Sequence, residues 1–300
     1  MIAGRPNSGK STLLNAVLGE NLSIVTPKPQ TTRESVRGIL TEKDQGQIVF
    51  VDTPGIHRAR EGSINAYMME QVEQGLEAPD LIWYLIDPDT TIEVETPVYE
   101  KLTGAKAPVF LVLNKEDLGR DTRALATAIQ ARLEALGVEV RAQFQISGRK
   151  KTGVPALLER TWTDLPVGPA FYPDPDEISD RPTRFFVAEK IREQLFMCLG
   201  EELPYSTAVL IEKFDENAIP PRIEAKIVVE RESQKGMVIG KGGLKIKEIG
   251  SEARKTVEKF LGKKIFLGLK VEVIKEWSSD PRRMKELGYT FTPKKTGRRK

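Results

Sequence analysis

A length of 300 residues suits two ordinary domains better than one. With 39% hydrophobic and 30% charged residues the composition is that of a globular protein, not of pervasive disorder. No run of about eighteen apolar residues is present, which excludes a membrane-spanning helix, and the N-terminus lacks the layout of a secretory signal. Cys198 is the only cysteine, so no internal disulfide can form and a cytoplasmic location is the default; its apolar neighbours Phe196, Met197 and Leu199 predict buried packing. The net charge of +3 is unevenly spread. Residues 184–300 carry 26 basic against 17 acidic side chains and residues 1–183 carry 20 against 26, which points to a polyanionic partner for the second half alone.

In chain order, the first feature is Gly4-Arg5-Pro6-Asn7-Ser8-Gly9-Lys10-Ser11, which fits G-x-x-x-x-G-K-[ST]. Gly4 and Gly9 let the backbone curl so that amides point at phosphate oxygens, Lys10 supplies charge to the β- and γ-phosphates, and the Ser11 hydroxyl is placed for Mg2+. Asn7, Ser8 and Thr12 complete the expected contacts, and the following helix presents its positive end. Only Met1-Ile2-Ala3 precede this loop, so its strand is expected to be trimmed or unusually short.

Next, Gln30-Thr31-Thr32-Arg33 lies in a polar loop. A threonine here can ligate Mg2+ only while a γ-phosphate is present, and Thr32 is favoured over Thr31. Asp52-Thr53-Pro54-Gly55 follows the strand-like Ile48–Val51, where ligands bind in open α/β sheets. Asp52 would hold Mg2+ through water, Thr53 would lie beside the nucleotide, and the Gly55 amide would sense the γ-phosphate. Ile56 stands where Ras-like proteins carry a water-orienting glutamine, which predicts slow intrinsic hydrolysis; His57 reads as a solvated loop residue.

Continuous apolar runs at residues 48–51, 81–86 and 109–113 predict strands covered on both faces, and residues 63–76 and 123–136 have helical spacing: an α/β pattern. Asn114-Lys115-Glu116-Asp117 follows the last run and fits N-K-x-D. The Asp117 carboxylate can accept from guanine N1–H and its exocyclic amine, whereas adenine offers a bare acceptor at N1. Ser147-Gly148 occupies the place of a further backbone contact to guanine.

Proline and glycine then crowd residues 165–176, an extended linker. Beyond it come a helix over Phe185–Leu199, strands at Thr207–Phe214 and Arg222–Val229, a glycine-rich turn, a helix from Lys245 to Phe260 and a strand at Ile265–Ile274. Gly240-Lys241-Gly242-Gly243 in that turn is a G-x-x-G loop, expected between a strand-like run and a basic helix that begins Lys245-Ile246-Lys247. Two glycines allow close approach to a sugar-phosphate chain, Lys241, Lys245 and Lys247 add charge, and Ile239, Ile246 and Ile249 would line or support the adjoining groove, as in KH domains, with plain core packing expected for at least one of them.

The first four motifs, in this order, resemble the translation-factor-like GTPases over Gly4 to about Gly153. The Gly4–Asn7 segment is similar to the branch with a hydrophobic residue in place of glutamine, in which an asparagine at the position of Asn7 helps bind K+, a stand-in for an arginine finger. Residues 200–206, 229–235 and 246–250 extend the likeness, and nearly the whole chain resembles the Era family of bacterial ribosome-assembly GTPases. The resemblance implies an α/β P-loop GTPase domain, with a mostly parallel sheet and helices on both faces, followed by an α+β type II KH domain. Boundaries are expected at 1–166 for the GTPase domain, 167–183 for the linker, 184–276 for the KH domain and 277–300 for a basic tail. It further implies GTP/GDP and Mg2+ as cofactors, and a monomer that binds 16S rRNA near its 3′ end, and no DNA, during 30S assembly. Peripheral association with the inner membrane face belongs to the same expectation. A GTPase that couples RNA binding to tRNA modification or to a membrane or cell-cycle role, and an RNA chaperone without turnover, are the rival readings.

Overall fold

A computed structural model describes residues 1–57, 63–200 and 202–292. Glu201 and the basic cluster Lys294–Lys300 lie outside the described residues. The chain divides into two compact units, which among these residues comprise 1–57 with 71–189, and 63–70 with 190–292.

In chain order the first part of the chain contains β1 (Ile2–Gly4), α1 (Lys10–Leu18), β2 (Val36–Glu42), β3 (Gly46–Asp52), α2 (Ser63–Leu76), β4 (Ile82–Ile86), α3 (Thr96–Leu102), β5 (Val109–Leu113), α4 (Arg123–Ala135), β6 (Val140–Gln145) and α5 (Val154–Asp164). The sheet runs β2-β3-β1-β4-β5-β6, with only β2 antiparallel to its neighbour. Every residue of β4 and β5 is buried, as continuous apolarity predicts for strands covered on both faces. The run at β3 behaves differently: Ile48 and Phe50 are buried while Val49 and Val51 are half-buried, so one face is less covered. The antiparallel β2 was not foreseen, because its apolar residues are broken by Arg37, Gly38 and Thr41. β1 has three residues, all buried, between β3 and β4. Since β1 and β4 are neighbours while β3 lies on the other side of β1, the loops after β1, β3 and β5 all open at the carboxyl ends of the parallel strands.

Residues 167–182 belong to the first unit instead of hanging between domains. They run past the β2–β3 hairpin: on the edge strand β2 Ile39 N–H donates to Ile178 O at 2.9 Å, and on β3 Gln47 Oε1 accepts from the amides of Phe171 and Tyr172 at 3.0 Å.

The remaining elements are α6 (Thr183–Cys198), β7 (Ala208–Asp215), β8 (Arg222–Val229), α7 (Glu232–Ile239), α8 (Leu244–Leu261), β9 (Phe266–Val273) and α9 (Pro281–Glu286). β7 and β8 are antiparallel, while β8 and β9 are parallel. A parallel pair requires a crossover, and α7 with α8 supplies it. The G-x-x-G loop therefore joins two helices, not a strand and a helix as expected. Leu195, Ile227, Val229, Val238 and Ile249 form the core on one sheet face. Ile249 is thus core, not groove lining, while Cys198 is only half-buried, against expectation.

The opposite face, reached by Val228 because side chains alternate along β8, is not bare. Ala208, Val228, Trp277, Met284, Leu287 and Tyr289 form a second core with Tyr67 of α2. Residues 277–292 are accordingly structural and no tail. Trp277 is fully buried, and its indole N–H donates to Ser206 O at 2.9 Å. Trp277→Ala should cost about 3–5 kcal/mol of local stability, seen as faster hydrogen exchange of the β7 and β8 amides with little change at β4 and β5.

Candidate functional site

The loop between β1 and α1 is wrapped tightly because three of its neighbours leave no room. A Cβ on Gly4 would meet Leu85 O at 2.4 Å, and one on Gly55 would meet Pro6 N at 2.5 Å. Gly9 has φ 97°, and a Cβ there would meet Asn114 Nδ2 at 2.2 Å. Lys10 is 5% exposed, and its ammonium donates to Gly4 O at 3.1 Å and Arg5 O at 2.8 Å. Burial lowers this amine from 10.5 to about 8, an effect partly offset by Asp52 and then Glu95. Glu95, which sequence reasoning missed, is a buried carboxylate that accepts from Tyr84 at 2.6 Å and Thr90 at 2.7 Å. A lone glutamate ahead of a helix gives no sequence signal.

Ser11 Oγ donates to Asp52 Oδ2 at 2.7 Å and lies 3.1 Å from Thr32 Oγ1. Three hard oxygens converge from the first turn of α1, the end of β3 and the loop before β2, and Asp52 Oδ1 is buried with no hydrogen-bond partner among the described residues. Burial raises the Asp52 carboxyl, while Lys10 and the Ser11 hydroxyl pull it back. Mg2+ suits such a set, since it takes few protein oxygens and fills its octahedron with phosphate and water. Among the described residues no cluster of three His, Cys, Asp or Glu competes for a metal. When bound, the ion would neutralise charge on the phosphates. Thr31 faces the other way, with its hydroxyl 2.8 Å from Thr26 Oγ1 and donating to Lys28 O at 2.8 Å.

Other candidates separate. Thr53 gives its hydroxyl to Ile2 O at 3.0 Å and is buried, so its side chain ties β3 to β1 and does not reach toward a nucleotide. Asn7, with φ 63°, donates to Pro27 O at 3.1 Å. Thr12 is half-buried on α1. Ser8 Oγ is buried without a partner among the described residues. Ile56 is fully buried, its amide donating to Gly4 O at 3.0 Å, which removes it from any role in orienting water. His57, expected to be solvated, is half-buried with Nδ1 2.9 Å from Gly55 O.

At the base side Asn114 joins two loops: its amide donates to Ser8 O at 2.8 Å, and its Oδ1 accepts from Gly148 N at 2.9 Å. Ser147 Oγ donates to Asp117 Oδ1 at 2.6 Å and holds that carboxyl below the ordinary carboxylate range, leaving the second oxygen for a base edge. Lys115 is in the left-handed region, φ 63°, and pairs with Asp87.

In the second unit Gly240, Gly242 and Gly243 have φ of 72°, 59° and 77°. A Cβ on Gly240 would meet that of Lys245 at 2.6 Å. Lys241 and Lys247 are exposed, while Lys245 pairs with Glu248 at 2.8 Å. Beside them Met237 is 61% and Leu244 69% exposed, apolar surface adjoining a basic, side-chain-free backbone turn. That combination fits a single strand whose phosphates meet the glycines and whose bases lie on the apolar side chains.

Fold and site together define a P-loop GTPase domain followed by a KH domain. The model of the 50S ribosome-binding GTPase family matches residues 1–115, and that of the KH domain matches residues 202–278. Over 292 residues the chain is 46% identical to GTPase Era of Geobacter metallireducens, covering 96% of both chains. It is 40% identical over 294 residues to GTPase Era of Carboxydothermus hydrogenoformans, covering 96% of both. A solved structure of an Aquifex aeolicus Era point variant bound to GDP·AlF4− superposes with a TM-score of 0.89 at 34% identity, covering 97% of this chain and 98% of that one. Era in complex with MgGDPNP and nucleotides 1506–1542 of 16S ribosomal RNA superposes equally well, with a TM-score of 0.89 at 34% identity and 97% of each chain covered. The chain belongs to the Era family of GTPases.

Gly9→Ala tests the packing of the phosphate loop. Asn114 is held from both sides and cannot yield, and alanine at φ 97° adds about 1–3 kcal/mol of strain. Affinity for GDP and for GTP should fall together, by at least about tenfold, in a nucleotide titration.

Proposed function

We propose that this protein binds GTP with Mg2+, hydrolyses it slowly, and uses the cycle to control binding to the 3′ end of 16S rRNA during assembly of the 30S subunit. The observation that carries the nucleotide half is the convergence of Ser11, Thr32 and Asp52 oxygens within 3.1 Å of Ser11 Oγ, beside Lys10. Ser11, Thr32 and Asp52 would serve the metal, Lys10 and the free backbone N–H groups of the β1–α1 loop the phosphates, and Asn114, Asp117, Ser147 and Gly148 the base. Gly55, pressed against Pro6, would report the γ-phosphate, and Asn7 would help hold K+. Ile56, buried, supplies no group to activate water, which fits slow turnover.

The RNA half rests on the glycine turn with Lys241, Lys245 and Lys247, and on the likeness to the relative solved with nucleotides 1506–1542 of 16S ribosomal RNA. No described helix is long and apolar enough to cross a membrane. Crosslinking the protein to cellular RNA and sequencing the footprint tests this target: reads should concentrate at the 3′ end of 16S rRNA, and a footprint on tRNA would favour the rival reading.

Asp117→Asn tests the base pocket. The amide offers a donor to xanthine O2 in place of the acceptor that guanine requires, so GTP affinity should drop by about 10²-fold or more while xanthosine triphosphate gains. Unchanged GTP binding would remove Asp117 from the pocket.

A further inference from the structure

The linker is not slack where it passes the switch loop. Ser179 Oγ donates to Arg37 O at 2.6 Å, and Arg37 pairs with Asp180 at 2.6 Å. With the Ile39–Ile178 hydrogen bond at 2.9 Å, these fix the linker's register on β2 to the residue. Arg181, next in line, then meets the loop that carries Thr32. Its Nη2 is 2.9 Å from Glu34 Oε2 and 3.5 Å from Ser35 O, and its guanidinium lies 4.8 Å from the centre of the Phe185 ring. Ser35 is gripped from its other side: its amide donates to Gln71 Oε1 at 3.2 Å and its hydroxyl to Gln71 O at 3.3 Å.

We infer that Arg181 is a positioning residue for the GTPase cycle. By pairing with Glu34 and the Ser35 carbonyl it favours the arrangement in which Thr32 faces Ser11. Thr32 and Glu34 are two positions apart, at most about 7 Å of extended chain, so a large withdrawal of Thr32 from the metal side pulls on the Arg181 pair. The coupling is reciprocal: whatever favours Thr32 at Ser11 also tightens the linker on β2, and the same linker runs directly into α6. The inference rests on Thr32 being the residue that senses the γ-phosphate. With side chains 35% and 15% exposed, the pair belongs to the partly screened class, worth about a two- to fivefold change in an equilibrium constant.

The test measures dissociation constants of the full chain for the β,γ-imido analogue of GTP and for GDP in Mg2+ buffer. GDP serves as the internal control, because it makes no demand on Thr32. Arg181→Gln and Glu34→Gln should each lower affinity for the analogue about two- to fivefold with GDP unchanged. The double variant should be no worse than either single, and Glu34→Arg with Arg181→Glu should recover part of the loss. Equal losses for both nucleotides, an unchanged ratio, or additive singles would overturn the role of Arg181. Thr32→Ala separates the two levels. If it too leaves the ratio unchanged, the reading of Thr32 fails and Arg181 falls with it; if it lowers the ratio while Arg181→Gln does not, only the latter role is lost.

Discussion

The site depends on one amide. Asn114 stands at the end of β5, and its two polar atoms hold the phosphate loop through Ser8 O and the base loop through Gly148 N. A buried carboxamide with both ends satisfied is worth more as geometry than as energy, because losing either bond leaves a polar group stranded away from water. The requirement for glycine at position 9 follows directly, since the Asn114 side chain occupies the space a Cβ would take. A residue ordinarily grouped with base recognition is here the spacer that sets how near the phosphate backbone comes to the sheet.

That closeness has an electrostatic consequence. Lys10 and Asp52 are both buried, and burial acts against the charge on each, lowering the amine to about 8 and raising the carboxyl. Each is partly rescued by the other, and Glu95 adds a second negative charge on the Lys10 side. Removing only one member of such a set would leave an uncompensated charge in a poorly solvated place. A polyphosphate and its metal would complete the balance, the phosphates compensating Lys10 and the ion Asp52.

Much of this was legible in the sequence because it is local. The loop from Gly4 to Ser11, the Asp117 carboxylate after β5 and the glycine turn at Gly240–Gly243 are contiguous, and each type of residue has a reason in its own few neighbours. Thr32, the threonine favoured from the sequence, turns its hydroxyl toward Ser11, twenty-one residues away, while Thr31 is occupied with Thr26 and Lys28. What escaped was set by distant partners. Residues 277–292 look like a charged tail until Trp277 and Tyr289 are seen against Val228. The short helix α7 contains Gly236 and few apolar residues; its existence is dictated by the crossover that a parallel β8–β9 pair demands. Likewise Pro-rich residues 165–176 announce an extended path but not what lies beneath it.

What lies beneath is an edge strand, and this gives the linker a reason to be ordered. β2 closes one side of the sheet with its outer amides and carbonyls unpaired by any further strand. Such an edge invites association with another chain unless it is covered. The linker covers it sparingly, with one backbone hydrogen bond at Ile39 and side-chain contacts from Ser179 to Arg37 O and from Asp180 to Arg37, while Gln47 of the adjoining β3 holds residues 171 and 172. A regular strand would have made β2 a rigid interior element. This lighter cover protects the edge yet can be peeled at small cost, because most of its bonds are single, exposed side-chain contacts. The strand so protected begins one residue after Ser35, where the loop bearing Thr32 ends. The edge strand that must be shielded and the loop bearing Thr32 thereby meet the same stretch of linker.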